Sequence, residues 1–213
     1  MQHTIQYIFD PLCGWCFGFS PVIKKLQEHY KDDIKFETLC GGMVLGDNIK
    51  PLSEMKGYLS EAMPRLEALT GVKFGADYYK LLEEGTVKLD SEMPSIAMMV
   101  YKSMSGNDTI AFAAALQNNL YVKGENLNSA ESYHMIAKDF ELDWSVFKER
   151  LGQQKYKEQA YAEFKKSAEL GIQGFPSVIF YTKDKAYLIA KGYRNYEEMV
   201  ATFSEIIKKE EVL

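Results

Sequence analysis

The stretch DPLCGWCFGFSP, Asp10 to Pro21, decides how the rest of the chain is read. Two cysteines three residues apart, Cys13 and Cys16, stand between a strand signal and a helix signal. Thr4 to Phe9 is rich in β-branched and aromatic residues and is expected to be a short strand. From about Cys13 to Tyr30, the residues Phe19, Val22, Ile23, Leu26 and Tyr30 recur at helical spacing. Lys31 to Asp33 reads as a turn, Ile34 to Leu39 as a second strand, and Gly41-Gly42 as its end.

A strand, a crossover helix and a second strand of this size make a βαβ unit with parallel strands and a right-handed crossover. Both strands then end at the same sheet edge, where α/β folds usually place their chemistry. From about residue 47 to 170 the patterns are helical, with segments at 53–69, 76–84, 95–105, 108–121, 129–139, 143–151 and 154–169. Gly71, Gly75, Pro94, Gly106-Asn107 and Gly124 are read as breakers between them. The chain then returns to β, with strands at Ser177–Tyr181 and Ala186–Ala190 joined by a turn over Thr182–Lys185. Asn195 with Glu198 forms a capping-box signal for a last helix. Its expected buried stripe is Tyr196, Met199, Val200, Phe203 and Ile207. The predicted fold class is α/β: a mixed four-stranded sheet with a large all-helical insertion. Residues 1–46 plus 170–213 form the sheet domain and 47–169 the inserted subdomain.

Cys13 at a helix start faces unpaired backbone N–H groups and the positive end of the macrodipole, which favour a thiolate, the nucleophile of disulfide exchange. Cys16, one turn on, is placed to attack a mixed disulfide and release the product. Cys13 is therefore expected to be the exposed attacker and Cys16 the shielded resolver. A zinc site would need two more ligands. Only Cys40, His3, His29 and His134 remain as cysteine or histidine candidates, and they form no second paired motif. Two buried structural cysteines are the other bland reading.

On these residues the segment resembles the active site of the DsbA-like thioredoxin-fold family, and its FrnE-like branch in particular. Pro21 matches the kinking proline of the thioredoxin active-site helix, and Gly174-Phe175-Pro176-Ser177 resembles the loop that holds a cis-proline against the cysteine pair. The resemblance implies a thioredoxin-like fold and a dithiol–disulfide oxidoreductase. Cys13 would attack and Cys16 resolve, with protein or peptide thiols as substrates. Trp15, Phe175 and Pro176 would lie at the substrate site, the Phe175 backbone pairing with a bound peptide. Where many relatives carry a buried carboxylate, six residues before the first cysteine, this chain has Tyr7. Asp10 is nearer, on the loop before Pro11, so the proton acceptor for Cys16 is left open.

Leu12, Trp15, Phe17 and Phe175 are read as a candidate apolar collar around Cys13, although core packing is the preferred role for Phe17 and Phe19. Met93, Met98, Met99 and Met104 are read as core filling. Cys40 is expected to be a structural thiol. A net charge of −5 and scattered lysines argue against a nucleic-acid partner. No stretch of about 18 apolar residues is present, so no membrane span is expected. The first residues carry no secretory-signal pattern, which points to a cytoplasmic protein. The cysteine pair itself is the expected redox centre. No bound organic cofactor or metal is expected, and glutathione is a candidate redox partner. Two rival readings are a client-presenting adaptor, which would tolerate loss of the cysteines, and a glutathione-dependent kappa-class-like transferase or isomerase. Enzymes of the latter kind generally carry a serine-type site, so Cys13 and Cys16 count against it.

Overall fold

The computed structural model describes residues 3–210. Strand β1 (Thr4–Phe9) leads into helix α1 (Gly14–Tyr30), which returns the chain to β2 (Lys35–Cys40). The two strands are parallel, with Phe9 opposite Cys40 at their shared end. After the helical block, β3 (Ser177–Tyr181) pairs antiparallel with the other side of β1, and β4 (Ala186–Lys191) pairs antiparallel with β3. The sheet order is β2-β1-β3-β4, a mixed four-stranded sheet of thioredoxin-like type.

Between β2 and β3 lie α2 (Leu52–Thr70), α3 (Ala76–Glu84), α4 (Glu92–Met104), α5 (Thr109–Tyr121), α6 (His134–Asp139), α7 (Trp144–Leu151) and α8 (Gln154–Glu169). A 3-10 turn, Ala130–Tyr133, precedes α6, so the expected 129–139 helix is split. Pro94 does not separate two elements as expected. It sits in the first turn of α4, where a missing N–H breaks no intrahelical bond. Pro21 lies inside α1, where it removes a backbone donor from the helix.

One sheet face carries Ile5, Tyr7, Phe9, Val178 and Phe180, all buried against α1 and the last helix, α9 (Tyr196–Glu210), through Phe19, Ile23 and Phe203. Of the expected α9 stripe, Met199 and Phe203 are fully buried, while Tyr196, Val200 and Ile207 are partly buried at its margin. The opposite face holds a smaller cluster of Ile8, Leu39 and Ile179, capped by Ile172 and Phe175. Met98 and Met99 are core residues, and Met93 and Met104 pack beside them.

Two contacts set where the insertion sits. Gly18 of α1 faces Thr70, and a Cβ there would lie 2.8 Å from Thr70 Cγ2, so α2 approaches α1 through the absence of a side chain. At the end of β2, Glu163 of α8 accepts from the Cys40 N–H at 2.8 Å and pairs with Lys102 of α4 at 2.6 Å. Lys102 also donates to the Thr38 carbonyl at 2.8 Å. The half-buried ion pair thus ties two insertion helices to the outer strand.

The Asn195–Glu198 capping box forms in both directions. Asn195 Oδ1 accepts from the Glu198 N–H at 2.9 Å, and Glu198 Oε2 accepts from the Asn195 N–H at 3.0 Å. Replacing Asn195 with Ala is expected to cost about 1 kcal/mol of stability, read as a lower midpoint at unchanged slope in urea unfolding. An unchanged midpoint would show that the cap is idle.

Candidate active site

The end of β1 delivers the chain into a tight turn, in which the Cys13 N–H bonds the Asp10 carbonyl at 3.1 Å. Cys13 is the N-cap of α1 rather than its first residue: its Sγ accepts from the Cys16 N–H at 3.3 Å. The sulfur therefore takes the place of the usual capping oxygen, on an orphan donor at the positive end of the helix. On its other side the Cys13 thiol donates to the Phe175 carbonyl at 3.5 Å. Segments 162 residues apart in sequence thus meet at this sulfur. The Phe175–Pro176 peptide bond is cis.

Cys13 is not the exposed thiol expected from its place on a loop. It is only 5% accessible, and Cys16 is wholly buried. The reason is α2, which lies across the active-site turn at a distance in sequence that no local pattern reveals. Met55, Leu59, Ala62, Met63 and Leu66 follow helical spacing and turn inward, with Leu66 reaching Gly14. With Leu12, Cys13, Trp15, Phe74, Tyr78 and Tyr121 they line a cavity of about 320 Å³ that opens onto Cys13. Trp15 is thus part of the wall next to Cys13. Phe17 instead packs into the core against Phe74 and Tyr121. Phe175 does not join the collar with its side chain. Its ring covers Gly41, where a Cβ would lie 2.0 Å from it, and only its carbonyl faces Cys13.

Asp10, read in the sequence only as a nearby loop carboxylate, is completely buried beneath the cysteine pair. Its Oδ1 accepts from the Leu12 N–H and the Ser91 hydroxyl, both at 2.9 Å, and its Oδ2 accepts from the Met43 N–H at 2.7 Å. Ser91 in turn accepts from the Val44 N–H at 3.0 Å. Burial raises the Asp10 pKa above the ordinary carboxylate value, and its hydrogen bonds from Met43, Leu12, Ser91 and Gly42 hold that rise back.

Burial also pushes the Cys16 thiol well above its ordinary value. The neighbouring Cys13 group adds to the rise, and a hydrogen bond from the Asp10 backbone opposes it. Tyr7, at the position many relatives give to a carboxylate, is likewise raised by burial and then by the charges on Cys16 and Cys13. A phenol so raised stays protonated and is no proton acceptor for a thiol; its hydroxyl points at the Cys16 carbonyl, 3.4 Å away. Cys40 is fully buried, its thiol raised first by burial and then by the Glu163 charge. Both effects disfavour a thiolate on Cys40. Of the histidines, His29 packs on Tyr30 and His134 on Trp144, both away from this cluster.

A thioredoxin family model matches residues 7–201. The chain belongs to the thioredoxin family. Among solved structures it is similar to a candidate protein disulfide isomerase from Nitrosomonas europaea, with a TM-score of 0.85 at 24% identity over 98% of this chain and 99% of that one. It is also similar to the cytosolic disulfide reductase DsbM from Pseudomonas aeruginosa, with a TM-score of 0.80 at 22% identity over 97% and 99%. DsbM solved with GSH matches at 0.78. At these identities the likeness is one of fold, the thioredoxin-like sheet with its helical insertion. Among curated sequences, the ClpXP adapter protein SpxH of Bacillus subtilis is 24% identical over 200 residues, 91% of this chain. The chain spans 65% of that relative's length.

Two outcomes are expected from this geometry. In the reduced protein, iodoacetamide should label Cys13 well before Cys16, because only Cys13 borders the cavity. Peptide mapping that found Cys16 labelled first would reverse the assignment. Asp10→Ala leaves the Leu12 and Met43 N–H groups and the Ser91 hydroxyl without this acceptor and should cost on the order of 3 kcal/mol in urea unfolding, with Ser91→Ala costing less. Equal stability of Asp10→Ala and wild type would mean that the network carries no stability.

Proposed function

We propose that the protein is a dithiol–disulfide oxidoreductase acting on protein or peptide thiols. The observation that carries this reading is the Cys13 sulfur at the N-cap of α1, accepting the Cys16 N–H and bordering an open cavity. That sulfur stands at the head of the helix and beside open space, the position from which it can reach a substrate disulfide.

In the reducing direction, the Cys13 thiolate attacks one sulfur of a substrate disulfide. The substrate S–S bond breaks, its far sulfur departs as a thiolate, and a Cys13–substrate mixed disulfide forms. The Cys16 sulfur then attacks Cys13, forming the Cys13–Cys16 disulfide. The second substrate sulfur departs and takes up the proton that Cys16 releases. Two electrons pass from the pair to the substrate, and the oxidising direction is the reverse. The raised Cys16 pKa suits the resolving role: Cys16 stays protonated until the mixed disulfide forms beside it. Pro176 offers no N–H beside Cys13, and the Phe175 carbonyl is the acceptor to which a bound chain would add. The disulfide isomerase and reductase descriptions of the structural neighbours support this chemistry, and DsbM's description as cytosolic fits a cytoplasmic location.

A second reading, a protein that presents clients to a protease, is favoured by one observation: the similarity to SpxH extends over most of the chain. The cysteines separate the two readings. Under the first, Cys13→Ser abolishes exchange, Cys16→Ser accumulates a mixed disulfide through Cys13, and Cys40→Ser keeps near-normal turnover. Insulin reduction under dithiothreitol, with mass spectrometry of the trapped species, measures all three. Undiminished exchange in Cys13→Ser would remove the proposal and leave the adaptor reading standing.

A further inference from the structure

Gln117 is a buried polar group that the exchange chemistry leaves unused. It sits on α5, is only 1% accessible, and neither atom of its amide has a hydrogen-bond partner among the described residues. A buried amide without a partner carries a desolvation cost, so its place in a core asks for a physical reason. Tyr121, one turn further along the same face of α5, shows where that face points. Its ring packs on Phe17 of α1, and its hydroxyl donates to the Leu12 carbonyl at 2.5 Å. Gln117 therefore lies behind the active-site turn, and its amide acts there on Tyr7.

Tyr7 is also 1% accessible, and its ring is held by stacking on Phe9 at 5.2 Å and by a tilted contact with Phe19 at 5.8 Å. Its hydroxyl reaches the first turn of α1 and donates to the Cys16 carbonyl at 3.4 Å, a long bond. The same hydroxyl stands beside the Cys16 side chain. Burial, and then the charges of Cys16 and Cys13, keep the proton on Tyr7. The Gln117 amide acts the other way, as a donor to the phenol oxygen does. Tyr7 is thus a fixed, protonated donor at Cys16, with Gln117 behind it.

The resolving step calls for a donor of this kind. In the mixed disulfide the Cys16 S–H bond breaks as its sulfur attacks the Cys13 sulfur. The Cys13–substrate S–S bond then breaks, and the departing substrate sulfur takes up the proton. Negative charge builds meanwhile on a sulfur whose ionisation burial opposes. Asp10 does not relieve it: its oxygens already accept from Leu12, Ser91 and Met43, and its charge adds to the rise of the Cys16 thiol. We propose that Tyr7 and Gln117 form a donor relay for resolution: the Gln117 amide N–H donates to the Tyr7 oxygen, and the Tyr7 O–H turns from the Cys16 carbonyl to the Cys16 sulfur as that sulfur loses its proton. The proposal rests on the exchange reading above and deepens its second step. Gln117 is a positioning residue that acts through Tyr7. Chained hydrogen bonds polarise one another, so a donor to the phenol oxygen strengthens the donation that the phenol makes. A donor aimed at the place where charge develops speeds the step without being consumed.

The titratable groups that face Cys16 are Cys13 on α1, Asp10 on the turn, Tyr7 on β1 and Tyr121 on α5. Cys13 does not titrate in the mixed disulfide, and Tyr121 is tied to Leu12. Tyr7→Phe keeps the ring and removes only the donor. Losing a donor to the thiolate raises the Cys16 pKa, so the pH profile of resolution moves upward.

The test uses the full chain, reduced, mixed in stopped flow with the chromogenic disulfide dithiobis(nitrobenzoate). One nitrothiobenzoate anion leaves when Cys13 attacks and a second when Cys16 resolves, so the two steps are read separately. In Tyr7→Phe the ratio of the second rate to the first is expected to fall about ten-fold, and the pH profile of the second release to move up by about one unit. Gln117→Leu is expected to act in the same direction by a smaller factor, and the double variant to be no slower than Tyr7→Phe alone. An unchanged ratio in Tyr7→Phe would overturn the proposal. So would equal slowing of both releases with no displacement of the pH profile, the signature of a packing role. If Tyr7→Phe does not fold, Gln117→Leu decides alone: a displaced profile sustains the relay and an unchanged ratio ends it. Wild-type protein that gives no second release would sink the exchange reading itself, so the two failures are told apart.

Discussion

A carboxylate with no access to water must find donors, and Asp10 finds them on three separate parts of the chain. Leu12 belongs to the active-site turn, Met43 to the loop leaving β2, and Ser91 to the entry of α4 in the helical block. Three of the segments around the site are tied together by that group. It holds the turn that sets Cys13 at the head of α1, and it fixes the neighbouring loop from which Val44 reaches the cavity. It also couples the helical insertion to the sheet at the point where the two cysteines sit. A buried polar network of this kind rigidifies only when fully satisfied, because each unpaired member carries a desolvation cost. Here Ser91 relays the network onward to the Val44 N–H, so no donor among these is left over.

The chain contains three buried thiols, and their surroundings separate them. Cys13 caps a helix and borders an open cavity. Cys16 lies in the first turn of the same helix, one layer deeper, where burial suppresses its ionisation. Cys40 ends a strand beneath the Lys102–Glu163 pair, and the nearer Glu163 charge opposes a second negative group there. Reactivity follows access and the sign of the local field rather than cysteine identity. The insertion thus has a double effect. It takes Cys13 out of bulk water, and it supplies the apolar wall of the cavity beside that sulfur.

Much of this was legible along the chain because its signals are local. The strand at Thr4–Phe9, the α1 stripe, the parallel return to β2, the C-terminal hairpin and the Asn195–Glu198 cap are each written within about a dozen residues. Hydrophobic period and capping chemistry act over that range. The Cys13-Gly14-Trp15-Cys16 motif was legible for the same reason. What failed were inferences about neighbours distant in sequence. Cys13 was expected to be exposed because a loop is usually exposed, yet a helix some fifty residues away covers it. Phe175 was expected to offer its ring to the site, yet its ring lies over Gly41, in space that a Cβ there would fill. Asp10 looked like an ordinary turn residue because its Met43 and Ser91 partners lie 33 and 81 residues away.

By itself, then, the sequence determined the order of elements, the sheet edge at which the cysteine pair sits, and the spacing of that pair along the first helix. These follow from backbone propensity and from spacing within one helical turn. The tertiary structure alone decided which sulfur borders open space, which carboxylate lies beneath the pair, and that the walls around Cys13 carry no charge. The physical reason is that burial, electrostatic environment and cavity shape are properties of surfaces brought together. Those surfaces come from segments that no local periodicity connects.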